Sequence, residues 1–227
     1  MSFSHQPHDI QITLCDDWKK MGVQGVIFDE FGYDFGVTRD EQNNAINIAH
    51  QNNLAVIANG WNLNDVFGTQ QNEAPTKLTS GDYYISESYQ YMAENGFEYY
   101  VLASRWREKA DLLQKYLSMP QFAGIKVLAT TTSLTNEAAE TKLEYAWYSA
   151  LLDGNEAIGW GTPWFSATGA DQDKAPYYVR PTLANPGKKF LGNTEKDQTN
   201  PAIYYRKTDT GKIIIDTEKH VAKFEKN

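Results

Sequence analysis

Gly25-Val26-Ile27-Phe28-Asp29-Glu30-Phe31-Gly32-Tyr33-Asp34-Phe35-Gly36-Val37-Thr38-Arg39 is the stretch on which the reading of this chain turns. A run of apolar residues, too short for a helix, leads straight into acids. That is the pattern of a buried parallel strand ending in a reactive mouth. In α/β barrels the strand ends aim their last side chains and following loops at one face, so acids placed there are candidate site residues. Downstream, Thr38 followed by Asp40 and Glu41 starts a helix carrying Ala45, Ile46, Ile48 and Ala49. The chain returns through residues 54–61 as a second strand, which completes one βαβ unit.

Upstream of this stretch, residues 9–15 alternate like a strand, yet Ile10, Leu14, Trp18 and Met21 recur at helical spacing. The expectation is a helix over 14–21 ended by Gly22, then a strand over 23–31. Further along, a polar loop over 62–80 holds a short helix at 64–67. A strand over 82–88 again carries an acid near its end, Glu87. A helical region follows, its apolar stripe given by Leu102, Trp106, Leu112, Leu113 and Tyr116 and its end by Met119-Pro120. Next come a strand over 125–132, a helix capped by Thr135 and bearing Ala139, Leu143, Ala146, Trp147 and Ala150, and a strand over 156–161. Residues 162–199 read as loop. Residues 202–207 and 212–216, joined by Asp209-Thr210-Gly211, read as a β-hairpin.

Strands alternating with helices imply a parallel sheet, either open and doubly wound or closed into a barrel. No glycine-rich phosphate cradle opens the helix after the first strand, as a dinucleotide-binding open sheet would need. The expected fold class is α/β; these residues alone leave open sheet and barrel undecided, and a (β/α)8 TIM-barrel-like arrangement would be incomplete at its N-terminal side by about three strands. It has about five βα units over residues 1–166, and a loop region and C-terminal hairpin over 167–227 packed on them.

Composition narrows the function. Of 227 residues, 41% are hydrophobic and 22% charged, which suits a globular chain. The net charge of -8 argues against nucleic acid or an anionic membrane surface, since a phosphate backbone calls for a basic patch, and a cationic or neutral polymer fits better. No apolar run approaches a membrane span, and no signal peptide is read in residues 1–16. Cys15 is the only cysteine, so neither a disulfide framework within the chain nor a cysteine zinc site is available. His50 and His220 show no metal-type spacing, His5 and His8 read as part of a loose N-terminus, and Asp171 and Asp173 read as a solvated loop, so no metal is expected. Aromatic residues reach 13%, and rings that do not fill the core can stack on sugars.

Asp29 and Glu87 supply the pair that glycosidic cleavage requires: one carboxylic acid to protonate the leaving oxygen and one carboxylate to act as base or nucleophile. Parallel neighbours lie ~4.8 Å apart, so residues two strands apart begin ~10 Å apart and lean together, which leaves both retaining and inverting geometries open. Glu87 is assigned as the general acid and Asp29 as nucleophile or base. Asn59 ends its strand where it could hold a sugar hydroxyl, or forms a plain Asn-Gly turn. Tyr33, Trp61, Trp160 and Trp164 are candidate stacking rings. Asp34 is a cleft contact or a cap for the coming helix. Glu30, on the opposite pleat from Asp29, meets Arg39 or a loop amide, or joins the substrate contacts.

Taken together, residues 25–30 with Asp34, then Asn59-Gly60-Trp61, then Ile85-Ser86-Glu87-Ser88, resemble the fourth, fifth and sixth strand ends of glycoside hydrolase family 114 and its uncharacterised relatives. The resemblance spans roughly residues 18–164. It implies a TIM barrel acting as an endo-α-1,4-polygalactosaminidase, without cofactor, on a secreted or cell-surface protein. It also implies that the first three strands are absent from this sequence and are themselves an expected partner. The alternative expectation is a non-catalytic carbohydrate-binding or structural protein that keeps the cleft.

Overall fold

The computed structural model describes residues 8–70, 72–134, 140–161, 186, 187 and 189–227. The expected cap Thr135, Ala139, the candidate ring Trp164 and the pair Asp171 and Asp173 lie outside them.

Helix α1 (His8–Lys20) begins well before the expected residue 14. Gln11 and Cys15, one turn apart, are both buried, so the core-facing stripe starts earlier than the apolar residues alone suggest. The helix ends as expected at Gly22, whose φ of +83° lets its N–H reach the Lys19 carbonyl at 3.0 Å while Val23 reaches Trp18 at 3.1 Å. Strand β1 (Gly25–Phe28) is shorter than the expected 23–31, because Glu30 adopts φ 55° and breaks the extended backbone. Helix α2 (Arg39–Gln51) starts on the capping box of Thr38 and Glu41. Strand β2 (Ala55–Ala58), helix α3 (Leu63–Phe67) and strand β3 (Tyr83–Ser86) follow in the expected order.

The helical region expected directly after Glu87 begins instead with a hairpin, β4 (Tyr91–Glu94) and β5 (Phe97–Tyr100). Its turn is Asn95-Gly96, both with positive φ (51° and 81°), the backbone that matches the twist of paired strands. Helix α4 (Ala103–Leu117) comes afterwards; Leu102 lies outside it and is exposed, and the buried stripe is Trp106, Ala110 and Leu113. Strand β6 (Lys126–Thr132), helix α5 (Glu140–Leu152) and strand β7 (Ala157–Gly161) complete the βα alternation.

The fold is thus mixed α/β, with five strands in a parallel sheet ordered β1-β2-β3-β6-β7. By compactness the chain forms two units, Met1–Glu87 with Lys109–Val127, and Ser88–Glu108 with Leu128–Asn227.

In the first unit Val26 and Phe28 of β1, Val56 and Ala58 of β2 and Tyr84 of β3 turn one way. They pack with Cys15 of α1, Ala45, Ile46 and Ala49 of α2, Leu113 of α4 and Phe122 into one core. The other sheet face carries Ile27, Ile57 and Ile85, of which Ile27 is 56% exposed.

Asp82 ties this unit together just ahead of β3. Its carboxylate accepts from the Val56 N–H at 2.8 Å, from the Thr79 N–H at 2.7 Å and from its hydroxyl at 3.1 Å, and lies 2.9 Å from His50 Nε2. The Asp82 carbonyl accepts from Lys126 N–H at 3.2 Å. One residue therefore joins β2, the turn before β3, the end of α2 and the start of β6.

In the second unit Asp153, buried at the end of α5, accepts from Trp106 Nε1 at 2.7 Å, from Arg107 at 2.5 Å and from the Tyr89 hydroxyl. The C-terminal hairpin is observed as β9 (Ile203–Thr208) and β10 (Gly211–Asp216), but two further strands flank it, β8 (Glu195–Lys196) and β11 (Val221–Lys226). They form a four-stranded antiparallel sheet ordered β11-β10-β9-β8, against which α5 packs. Strand β11 escapes the sequence reading because Lys223 and Glu225 alternate with only Ala222 and Phe224 facing inward. Gly211 is required at the turn, since a Cβ there would lie 2.1 Å from the Glu225 carbonyl oxygen.

Burial alone would raise the Asp82 carboxyl, but the hydrogen bonds from His50, Val56 and Thr79 outweigh it and hold it below its ordinary value. Its contribution to stability is thus present above the unfolded value of ~3.9 and is lost as pH falls through the lower folded value. Asp82→Ala is expected to cost ~3 kcal/mol in urea unfolding at pH 7 by leaving buried donors unpaired. In Asp82→Asn the loss of stability below pH ~4 should be shallower than in the wild type.

Candidate active site

The site residues stand where β1, β2 and β3 end. Register pairs Phe28 with Ala58, and Ala58 with Tyr84. Continuing the alternation by one residue places Asp29, Asn59 and Glu87 on the same sheet face as Ile27, Ile57 and Ile85.

The ladder between β1 and β2 does not stop at the strand ends; it takes in one extra residue. Asn59 N–H donates to the Phe28 carbonyl and the Asn59 carbonyl accepts from Phe31 N–H, both at 2.9 Å. Two residues, Asp29 and Glu30, therefore stand opposite one, Asn59, which is a β-bulge. The left-handed backbone of Glu30 closes it, and its N–H returns to Asp29 Oδ1 at 2.9 Å. Asn59 Nδ2 donates to the same oxygen at 2.8 Å. The carboxylate of Asp29 is held by two donors and remains exposed to solvent. Ser88, directly after Glu87, also has positive φ, 53°. Both candidate acids are thus followed by a non-glycine residue in a conformation that costs energy, a feature that gathers at functional sites.

Behind Asn59, Gly60 is demanded by close packing, since a Cβ would lie 2.7 Å from Val66 Cγ2. The Tyr84 hydroxyl donates to the Gly60 carbonyl at 2.9 Å, which fixes the turn carrying Trp61. Trp61 is 59% exposed, so one flat ring face is open.

Lys109 of α4 was not among the sequence candidates and completes the group. Its ammonium lies over the rings of Trp61, 5.4 Å from the centroid, and of Tyr84, at 6.0 Å. Burial lowers its pKa to about 8, against the opposing pull of the Glu87 charge. The Tyr84 hydroxyl is pushed upward by burial and then by the same Glu87 charge. Glu87, Lys109 and Tyr84 are therefore electrostatic neighbours. The sequence does carry a signal for Lys109: it sits three residues after Trp106 and one before Ala110, on the edge of an otherwise apolar stripe.

The remaining candidates fall elsewhere. Tyr33 donates its hydroxyl to Glu73 at 2.9 Å and its N–H to Asp65 at 3.1 Å, and burial followed by the Glu73 hydrogen bond raises its pKa. Asp34 lies in the short 3-10 turn Tyr33–Phe35 with its carboxylate folded over Gly32, and the helix cap is Thr38 rather than Asp34. Glu30 does not meet Arg39, whose buried guanidinium donates instead to the carbonyls of Asp65, Val66 and Gly68. Trp160 belongs to the second unit, is 7% exposed and stacks on Tyr91. Among the described residues no three His, Cys, Asp or Glu side chains are grouped as metal ligands, and no helix is long and apolar enough to cross a membrane.

The chain matches no protein-family model and no curated protein sequence.

Because the folded-state pKa of Lys109 lies below its unfolded value of ~10.4, the charged amine destabilises the native state most below pH 8, and that penalty fades as pH rises through 8. Lys109→Met is therefore expected to unfold at higher denaturant concentration than the wild type at pH 7. The gap between the two midpoints should narrow steadily from pH 8 to 9.5.

Proposed function

We propose that this chain is a glycoside hydrolase built on part of a (β/α)8-type barrel, related to glycoside hydrolase family 114 and acting within an amino-sugar-containing polysaccharide. The observation that carries the reading is the placement of Asp29, Asn59 and Glu87 on one sheet face at the ends of three adjacent parallel strands, each acid followed by a left-handed residue. Parallel α/β folds present their chemistry at such strand ends.

In this reading a sugar ring lies on the open face of Trp61, with its glycosidic oxygen between the two carboxylates. Glu87 delivers a proton to that oxygen as the bond to the anomeric carbon breaks. Asp29, oriented by Asn59 and by the Glu30 N–H, attacks the anomeric carbon or draws a proton from a water that does. Along the register Glu87 is level with Trp61 and two residues beyond the partner of Asp29. Two strands sideways and two residues along set the two Cα atoms ~12 Å apart, a spacing from which the carboxyl groups lean together more readily to the inverting range of ~6.5–9.5 Å than to the shorter retaining one. No cofactor takes part.

A second reading, a carbohydrate-binding protein without turnover, is favoured by the half-exposed Ile27 on the face that carries the acids, which leaves the cleft open to water.

Release of reducing ends from a panel of polysaccharides that includes α-1,4-linked galactosamine polymers separates the two. Glu87→Gln and Asp29→Asn should each lose at least ~100-fold in kcat with an unchanged thermal melt. Turnover that survives both substitutions would remove these carboxylates from the reaction. Binding by a folded wild-type chain with no turnover on any polymer would establish the second reading.

A further inference from the structure

The ammonium of Lys109 is set over two rings, and no other lysine among the described residues lies over two. Among those residues no acid stands at ion-pairing distance from it and no acceptor takes its hydrogen bond. Its nitrogen is nevertheless not one of the buried polar atoms that lack a partner, so the amine reaches solvent. Rings that strip water from one side of an accessible cation favour the uncharged amine, and this is how a lysine becomes a nucleophile near neutral pH. The loss of water brings its pKa down to about 8, against the opposing pull of the Glu87 charge. At pH 7 about one Lys109 amine in ten is then uncharged, against roughly one in 2,500 for a solvated lysine.

The surroundings suit a reaction. Trp61 offers an open ring face beside the amine, and Glu87 is close enough to act on it electrostatically; all three belong to the first compact unit. The strand ends that carry Trp61 and Glu87 also carry Asp29 and Asn59, whose side-chain oxygens accept from hydroxyls, while the two acids repel an anionic ligand.

We propose that Lys109 is a nucleophilic amine that forms an imine with an uncharged hydroxylated aldehyde or ketone, such as an open-chain sugar, seated on Trp61. The uncharged Nζ attacks the carbonyl carbon, and the C–N bond forms as the π electrons pass to oxygen, which takes a proton while nitrogen gives one up. The hydroxyl of the resulting carbinolamine accepts a proton from Glu87 and leaves as water. The nitrogen lone pair closes the C=N bond, and the iminium returns the proton to Glu87. Amine and carbonyl give imine and water, with nothing oxidised or reduced. The step does not depend on glycosidic cleavage and stands apart from the hydrolase reading.

Two measurements on the full chain test it. In the first, a trace of acetic anhydride competes for the lysines across a pH series, and peptide mass spectrometry reads each one. Lys109 is expected to titrate with a midpoint of about 8 and to label at pH 7 at least ~10-fold faster than the mean of the other lysines. In the second, glyceraldehyde and sodium cyanoborohydride are added at pH 7, and the imine is trapped as a secondary amine. The adduct is expected on Lys109 with at least ~10-fold preference over any other lysine, and this fast phase should vanish in Lys109→Met. Glyoxylate, an aldehyde that carries a carboxylate, should show no such preference.

A Lys109 midpoint near ~10.4, or glyceraldehyde adducts spread evenly over the lysines, overturns the proposal. The same preference with glyoxylate overturns the uncharged class of ligand. A thermal melt checks that Lys109→Met is folded, and the mapping within the wild type decides without it. None of these results touches the polysaccharide assay of the hydrolase reading, and failure of that assay leaves the trapping result intact.

Discussion

The first unit depends on a carboxylate that takes the place of a strand. Past the pairing of Ile57 with Tyr83, the Val56 N–H has no strand partner on its β3 side, and Asp82 Oδ1 occupies that position instead. The same side chain receives the Thr79 turn and His50, while its backbone carbonyl holds the first residue of β6. Without it the approach to β3 would be unpaired just where the sheet passes from β2 to β3. The register that puts Glu87 level with Trp61 is set from that end. Order at the Glu87 end of β3 is thus secured at the opposite end of the strand.

Much of the fold was legible because its signals are local. The capping box of Thr38 and Glu41, the glycine stop at Gly22 and the apolar runs of β1, β2, β6 and β7 each depend on a few neighbouring residues, and each lies in the structure close to its expected place. The exact ends were not legible, because they are set by contacts across the sheet. Glu30 ends β1 by turning left-handed to make a bulge against a residue almost thirty positions away. The β4–β5 hairpin was legible in principle. Asn95-Gly96 is a strong turn signal, but Trp106, Leu112 and Leu113 set up a helical period that was extended too far upstream. Strand β11 was hidden by its charges.

The candidate site divides in the same way. Acids at strand ends can be found from sequence because the strand pattern is local, and Asp29, Asn59 and Glu87 do share one face. What surrounds them cannot be found so. Tyr33 hydrogen-bonds to Glu73, Arg39 is consumed by carbonyls around α3, and Lys109 arrives from a helix after the third strand. A lysine on the edge of an apolar stripe reads as a snorkelling surface residue until the rings of Trp61 and Tyr84 are found beneath it.

The bulge at Asp29 and Glu30 also makes the anchoring of the candidate acid genetically separable from the scaffold. Loss of the single codon for Glu30 would bring Phe31 into the position it leaves, restore an unbroken ladder between β1 and β2 and remove the N–H that now steadies Asp29. One step would therefore separate the strand pairing from the anchoring of the Asp29 carboxylate, and whether one residue or two stand opposite Asn59 records which of the two a sequence has kept.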